Sequence, residues 1–246
     1  MIDIQIAGLE DVKKMLGTLG KQADFAASRA LNTTAFKINA EVKTEMQAAF
    51  QGGATPYTLR AMKVEKSTKQ TLTSSVKLRA DGPSGGTPYE QALGHLFTGG
   101  GREWKKMEGY LRKRGLMPSG LMAVPGNGAT MDKRGNMSRA ELREMLGSLS
   151  SSKPGMRTYR RSGGGKQTKA IGYFAVLPGA RSHLKPGIYK RIETGKSSAV
   201  EPMVMYVRPG TYRRYIDLPA IGTQTVQTTF APEFYKELRY ALETAK

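Results

Sequence analysis

The residues with the strongest claim to chemistry are two histidines, a Gly-Lys-Ser step and three groups of arginine and lysine interleaved with aromatics. An imidazole titrates near neutrality and can serve as general acid, general base or zinc ligand. His95 and His183 are the chain's two histidines; neither belongs to an HExxH pattern, both read as loop residues, and with no cysteine there is no thiolate to complete a site. A nuclease using either histidine would need metal-binding carboxylates, and the acids of residues 80–200 are scattered. Gly195-Lys196-Ser197 ends like a phosphate-binding loop, but that pattern needs a glycine where Lys190 stands and a helix where Val200–Arg208 reads as strand. Gly163-Gly-Gly-Lys166 is followed by Gln167 and lacks the required hydroxyl. There is no G-x-S-x-G elbow and no dinucleotide fingerprint. The expectation is a protein without catalytic residues, metal or cofactor.

The basic groups remain. Arg102, Lys105, Lys106, Arg112, Lys113 and Arg114 surround Trp104 and Tyr110; Arg157, Arg160 and Arg161 surround Tyr159; Arg213 and Arg214 lie between Tyr212 and Tyr215. Cations of this kind neutralise phosphates, and neighbouring rings can stack on bases. The bland alternative is that each group is a solvated face whose aromatics anchor a loop to the core. None has the spacing of a sequence-reading module, so contact with nucleic acid would be non-specific.

The whole-chain charge favours the first reading. The 246 residues carry 39 Lys and Arg against 20 Asp and Glu, a net charge of +19. Residues 1–50 are neutral, with six bases and six acids, whereas 51–79 carry +5, 80–170 carry +9 and 171–246 carry +5. A neutral first fifth followed by a positive remainder points to a polyanionic surrounding. The length suffices for a core without covalent staples. The 29 glycines and 12 prolines stay below the roughly 25–30% that marks a disordered polymer. Neither a secretory leader nor an apolar run of about 18 residues is visible. A protein made and kept in a cytoplasm, with no membrane partner, is expected.

These residues must be positioned by ordinary elements. Ile2, Ile4 and Ile6 alternate with polar residues as in a strand, and Leu9, Val12, Leu16 and Leu19 follow at helical steps. From Lys21 to Gln51 there is neither glycine nor proline. Leu31, Ala35, Ile38, Val42, Met46 and Ala49 trace one stripe of a helix about 28 residues long, stopped by Gly52 and Gly53. Ala61–Lys66 and Thr71–Arg79 read as a hairpin, with Leu72, Ser74, Val76 and Leu78 on one face and a polar face toward solvent or a partner. Residues 102–114 and 138–149 give two short helices, the second opened by a Ser138–Glu141 capping box. Met117–Met131 reads as loop, and Ser150–Lys169 as a loose stretch that a partner would order. Strands are expected at Ala170–Leu177, Gly187–Ile192 and Val200–Arg208, and Pro232 suits the start of a C-terminal helix through Phe234, Leu238, Ala241 and Leu242. The order implies an α+β fold, a mostly antiparallel sheet packed by a long helix in the N-terminal half and by a C-terminal helix. Residues 1–79 and 170–246 would form one core domain and 80–169 a basic, glycine-rich, helical insertion.

Ile2-Asp-Ile-Gln-Ile-Ala-Gly-Leu9, a short helix, and Ala30-Leu-Asn-Thr-Thr-Ala35 on a long one resemble the start of bacteriophage tail-completion proteins, in particular the minor tail protein Z family of long-tailed phages. The resemblance covers about residues 1–50, with weaker support over 55–79 and 170–246; the 80–170 stretch is the main departure, although His95-Leu-Phe-Thr-Gly-Gly is similar to segments of phage structural proteins. It implies a non-enzymatic virion component at the head–tail junction or neck. Its partners would be other tail and neck proteins, in a homo-oligomeric ring for which six copies is one option, close to the genome's exit path. Competing expectations are a free, non-specific nucleic-acid-binding protein and, behind it, a nuclease.

Overall fold

The computed structural model describes residues 3–6, 20–84, 86–150, 157–160, 168–194 and 197–244. The fold is α+β, and the chain divides into two compact units: residues 1–103 with 211–246, and residues 104–210. The helix expected over 9–19 lies outside the described residues.

The first unit is built on the expected long helix, α1 (Gly20–Ala49). Its stripe is the core: Leu31, Ala35, Ile38, Val42 and Met46 are all but fully buried. A side chain of this size stabilises by roughly 1.5–3 kcal/mol when removed from water. Residues after α1 form a short helix, α2 (Pro56–Leu59), capped by the Thr55 hydroxyl, and then the expected hairpin, β2 (Met62–Glu65) and β3 (Ser74–Leu78). β3 is the centre of a three-stranded antiparallel sheet in the order β1-β3-β2, with β1 at Asp3–Ile6. The polar face of the hairpin is partly closed rather than open: Ser75 is buried and its hydroxyl donates to Glu65, 3.1 Å away. A third helix, α3 (Tyr89–Thr98), follows.

The C-terminal helix, α6 (Leu218–Glu243), is longer than its sequence suggests. Pro232 sits inside it, not at its start. The true start is Asp217, whose carboxylate accepts the Ala220 N–H at 3.2 Å. Residues 218–231 are rich in threonine and contain Gly222, so intrinsic propensity is weak; packing against α1 compensates. Arg29 pairs with Glu237, Lys37 Nζ donates to Thr229 Oγ1 at 2.9 Å, and the Thr225 hydroxyl donates to Glu41. The α1 numbers rise by eight and four while the α6 numbers fall by eight and four, so the helices run antiparallel in a single register. Small buried residues, among them Ala26, Ala30, Gly222 and Thr225, suit such a close contact.

The second unit holds a separate five-stranded antiparallel sheet in the order β4-β8-β7-β6-β5. The strands are β4 (Met122–Pro125), β5 (Arg157–Arg160), β6 (Thr168–Val176), β7 (Gly187–Thr194) and β8 (Ser197–Val207). Helices α4 (Lys106–Lys113) and α5 (Arg139–Ser150) contribute Leu111 and Met145 to its core, with Tyr173, Ile188, Met203, Val204 and Tyr206 from the sheet. Three expectations change here. The Met117–Met131 loop contains β4. The stretch expected to be loose contains β5, paired with Thr168–Ile171, while 151–156 and 161–167 lie outside the described residues. Residues 170–210 belong with 104–169 in one sheet instead of returning to the core of 1–79. A strand's period reports that one face is buried; it does not report which neighbour it pairs with.

Candidate nucleic-acid interface

The three basic groups are divided between the units. Arg102, Arg213 and Arg214 belong to the first; Lys105 to Arg114 and Arg157 to Arg161 belong to the second. Charge follows the same division: residues 104–210 hold 21 bases against 6 acids, net +15, and the longer first unit holds the remaining +4.

Within the second unit, α4 turns its residues to two uses. Glu108 is fully buried and accepts the Lys105 N–H at 2.8 Å and the Ala123 N–H at 2.7 Å. Ala123 lies on β4, the terminal strand of its sheet, so this carboxylate covers a donor that an edge strand would otherwise leave open. Arg112 acts beside it. Its Nη2 donates to the Leu121 carbonyl at 2.5 Å, and its guanidinium carbon stands 3.1 Å from the centre of the Trp104 ring. Arg112, expected to face DNA, is half-buried and spends part of its guanidinium on the backbone just before β4 and on the Trp104 ring. Lys105, Lys106, Lys113 and Arg114 are exposed. Arg114 lies over Tyr110 and donates to the Ser150 carbonyl at 3.0 Å, where a cation also meets the negative end of α5.

Arg157 and Arg160 occupy β5 at positions opposite Ile171 and Thr168; Arg161 lies outside the described residues. In the first unit, Arg102 donates to the Glu103 carbonyl at 3.1 Å. Arg214 is ion-paired with Asp217 at 2.5 Å, and Arg213 lies over Tyr215, 4.9 Å from its centre.

The second unit also presents Lys133, Arg134, Arg139 and Arg143, all exposed, which the clustering of bases in sequence did not single out. Two acids in the same stretch disguised them. Asp132 accepts the backbone N–H groups of Arg134 and Asn136 at 2.8 and 2.9 Å, and these bonds, Asn136 first, hold its carboxyl below the usual range. Glu141 accepts the Thr130 N–H at 2.7 Å, a role that differs from the expected capping box with Ser138, and Lys190 approaches it at 3.8 Å. Both acids remain charged, Asp132 interacting with Arg134 and Glu141 with Lys190, while their backbone bonds fix where that charge sits.

The histidines fall in different units. His95 lies in α3, not in a loop, with its ring 5.0 Å from that of Tyr212; His183 is exposed in the connection between β6 and β7. His95 lines a cleft of the first unit with Glu90, Gln91, Thr98 and Glu103. Among the described residues no three His, Asp or Glu side chains are grouped to hold a metal ion, and no helix is long and apolar enough to cross a membrane. Compared with protein-family models, curated proteins and solved structures, the chain matches none of them.

Proposed function

We propose that this chain is a non-enzymatic structural protein of a bacteriophage particle. It completes the tail or joins it to the head at the neck, touches neighbouring virion proteins, and holds its basic unit toward the packaged DNA. The observation that carries the reading is the confinement of +15 of the charge to residues 104–210, beside a nearly neutral unit. A polyanion close to one part of the molecule accounts for that asymmetry. The N-terminal resemblance supplies the setting, including assembly in the host cytoplasm and a ring of identical copies.

Mass spectrometry of purified particles tests the proposal: the chain should be present at a fixed number of copies. Deleting its gene should leave heads and tails unjoined in the lysate; normal, infectious particles in its absence would refute it. The same charge supports a second reading, a free nucleic-acid-binding protein, which requires the chain to be absent from washed particles.

A further inference from the structure

We infer that the 104–210 unit binds the phosphate backbone of duplex DNA through arginine and lysine alone, without stacking rings on bases, and so holds double-stranded DNA at least as tightly as single-stranded DNA. The inference rests on the reading that this unit lies toward DNA, and it names the form of DNA and the mode of contact.

Binding to single strands draws much of its strength from successive aromatic rings on which bases stack, each worth about 1–3 kcal/mol. Every tryptophan, tyrosine and phenylalanine ring of this unit whose side chain is described is otherwise engaged, and the one imidazole, His183, is exposed in the β6–β7 connection. Tyr173, Tyr189 and Tyr206 are buried. Trp104, Tyr110 and Phe174 carry the guanidinium groups of Arg112, Arg114 and Arg191 at 3.1, 5.0 and 5.2 Å from their centres. Trp104 keeps an open side, at 46% exposure, but one ring does not make a platform.

The cations are placed differently. Lys113, Lys133, Arg134, Arg139 and Arg143 are exposed, and of these Arg134 has the Asp132 carboxylate near enough to interact with it. Arg139 and Arg143 are one turn apart on α5, about 6 Å between Cβ atoms. Such a surface offers charge without a base-reading geometry. Duplex DNA carries one negative charge per about 1.7 Å of axis, and single strands are less dense.

The test uses the full chain. Anisotropy titrations compare a labelled duplex with oligo(dT) of equal length over a salt series, while emission from Trp104, the chain's one tryptophan, reports stacking directly. The duplex should bind at least as tightly, and Trp104 emission should change little at saturation with either DNA. Substituting K133Q, R134Q, R139Q and R143Q together should reduce the slope of log K against log salt by about 0.9 for each phosphate that is no longer neutralised, with an unchanged circular dichroism spectrum. Tighter binding of oligo(dT) with strong quenching of Trp104 would overturn the inference. So would an unchanged slope in the folded variant, or binding to phosphatidylserine vesicles with none to the duplex. The wild-type comparison stands even if the fourfold variant fails to fold. Presence in particles is decided by the mass spectrum, so either reading can fail without the other.

Discussion

In the unit formed by residues 1–103 and 211–246, basic side chains commonly have an acid beside them. Arg29 meets Glu237, Lys63 and Lys77 share Glu65, Arg79 meets Asp81, Arg214 meets Asp217 and Lys236 meets Glu233. In the 104–210 unit, Glu108, Asp132 and Glu141 are turned to backbone N–H groups, with Lys190 also reaching Glu141, and Lys113, Lys133, Arg134, Arg139 and Arg143 are exposed. The first arrangement makes charge part of the fold; the second leaves it for something outside. Net charge alone would have assigned a uniformly basic protein, and the difference between the units is what turns a pI near 10.1 into a directional statement.

The largest expected effect tests the helix-built core. Ile38→Ala should destabilise the first unit by about 2–5 kcal/mol, measured by denaturant unfolding, because Ile38 is fully buried among helix and sheet residues. A smaller destabilisation would mean that α1 is less central than its burial indicates.

Next comes the edge of the second unit. Glu108→Ala leaves the Ala123 N–H without its acceptor and should cost about 1–3 kcal/mol. Glu108→Gln keeps one acceptor oxygen and should cost less. Equal costs would show that charge, not the acceptor pair, matters at this edge.

Salt should separate the units without any substitution. Raising ionic strength shortens the Debye length from about 10 Å at 0.1 M to about 3 Å at 1 M and relieves repulsion where charge is in excess. Hydrogen-exchange mass spectrometry should therefore show increased protection in peptides of 104–210 and little change over 20–79. The same increase in both units would erase the comparison.

The smallest effect concerns pH. Hydrogen bonds from Lys77 and then Lys63 lower the Glu65 carboxyl to about 2. A depressed folded value means stability that is present above the ordinary carboxylate range and is lost as pH falls from about 4.5 toward 2. The group is solvent-exposed, so the contribution is small. Glu65→Gln should flatten the acid limb of the stability–pH curve slightly and leave neutral pH almost unchanged.

Much of the fold was legible because it depends on local periods. The α1 stripe from Leu31 to Met46, the β2–β3 hairpin and the Leu142–Leu149 face of α5 each repeat every two or three to four residues; the α1 stripe is buried, and Leu142, Leu146 and Leu149 pack half-buried around buried Met145. Residues 218–231 were not legible, since threonine and Gly222 have little helix preference and only packing on α1 recruits them. His95 was misplaced in a loop because the glycines after it obscured the helix before them. At the interface, neighbouring bases in sequence were found, but Arg112 in the last turn of α4 and Arg114 just after it differ in fate by where each guanidinium can reach.

The sequence by itself determined the amounts: a long helix, the alternating strands and a charge absent from residues 1–50. Tertiary structure decided the allocation. It assigned β6, β7 and β8 to a sheet with β4 and β5, gathered +15 into that unit, and set Glu108 on the edge strand β4 and Arg112 on the residue before it. The physical reason is range. Periodicity and charge are properties of consecutive residues, whereas strand partners and the acceptor that a side chain reaches depend on segments far apart in the chain.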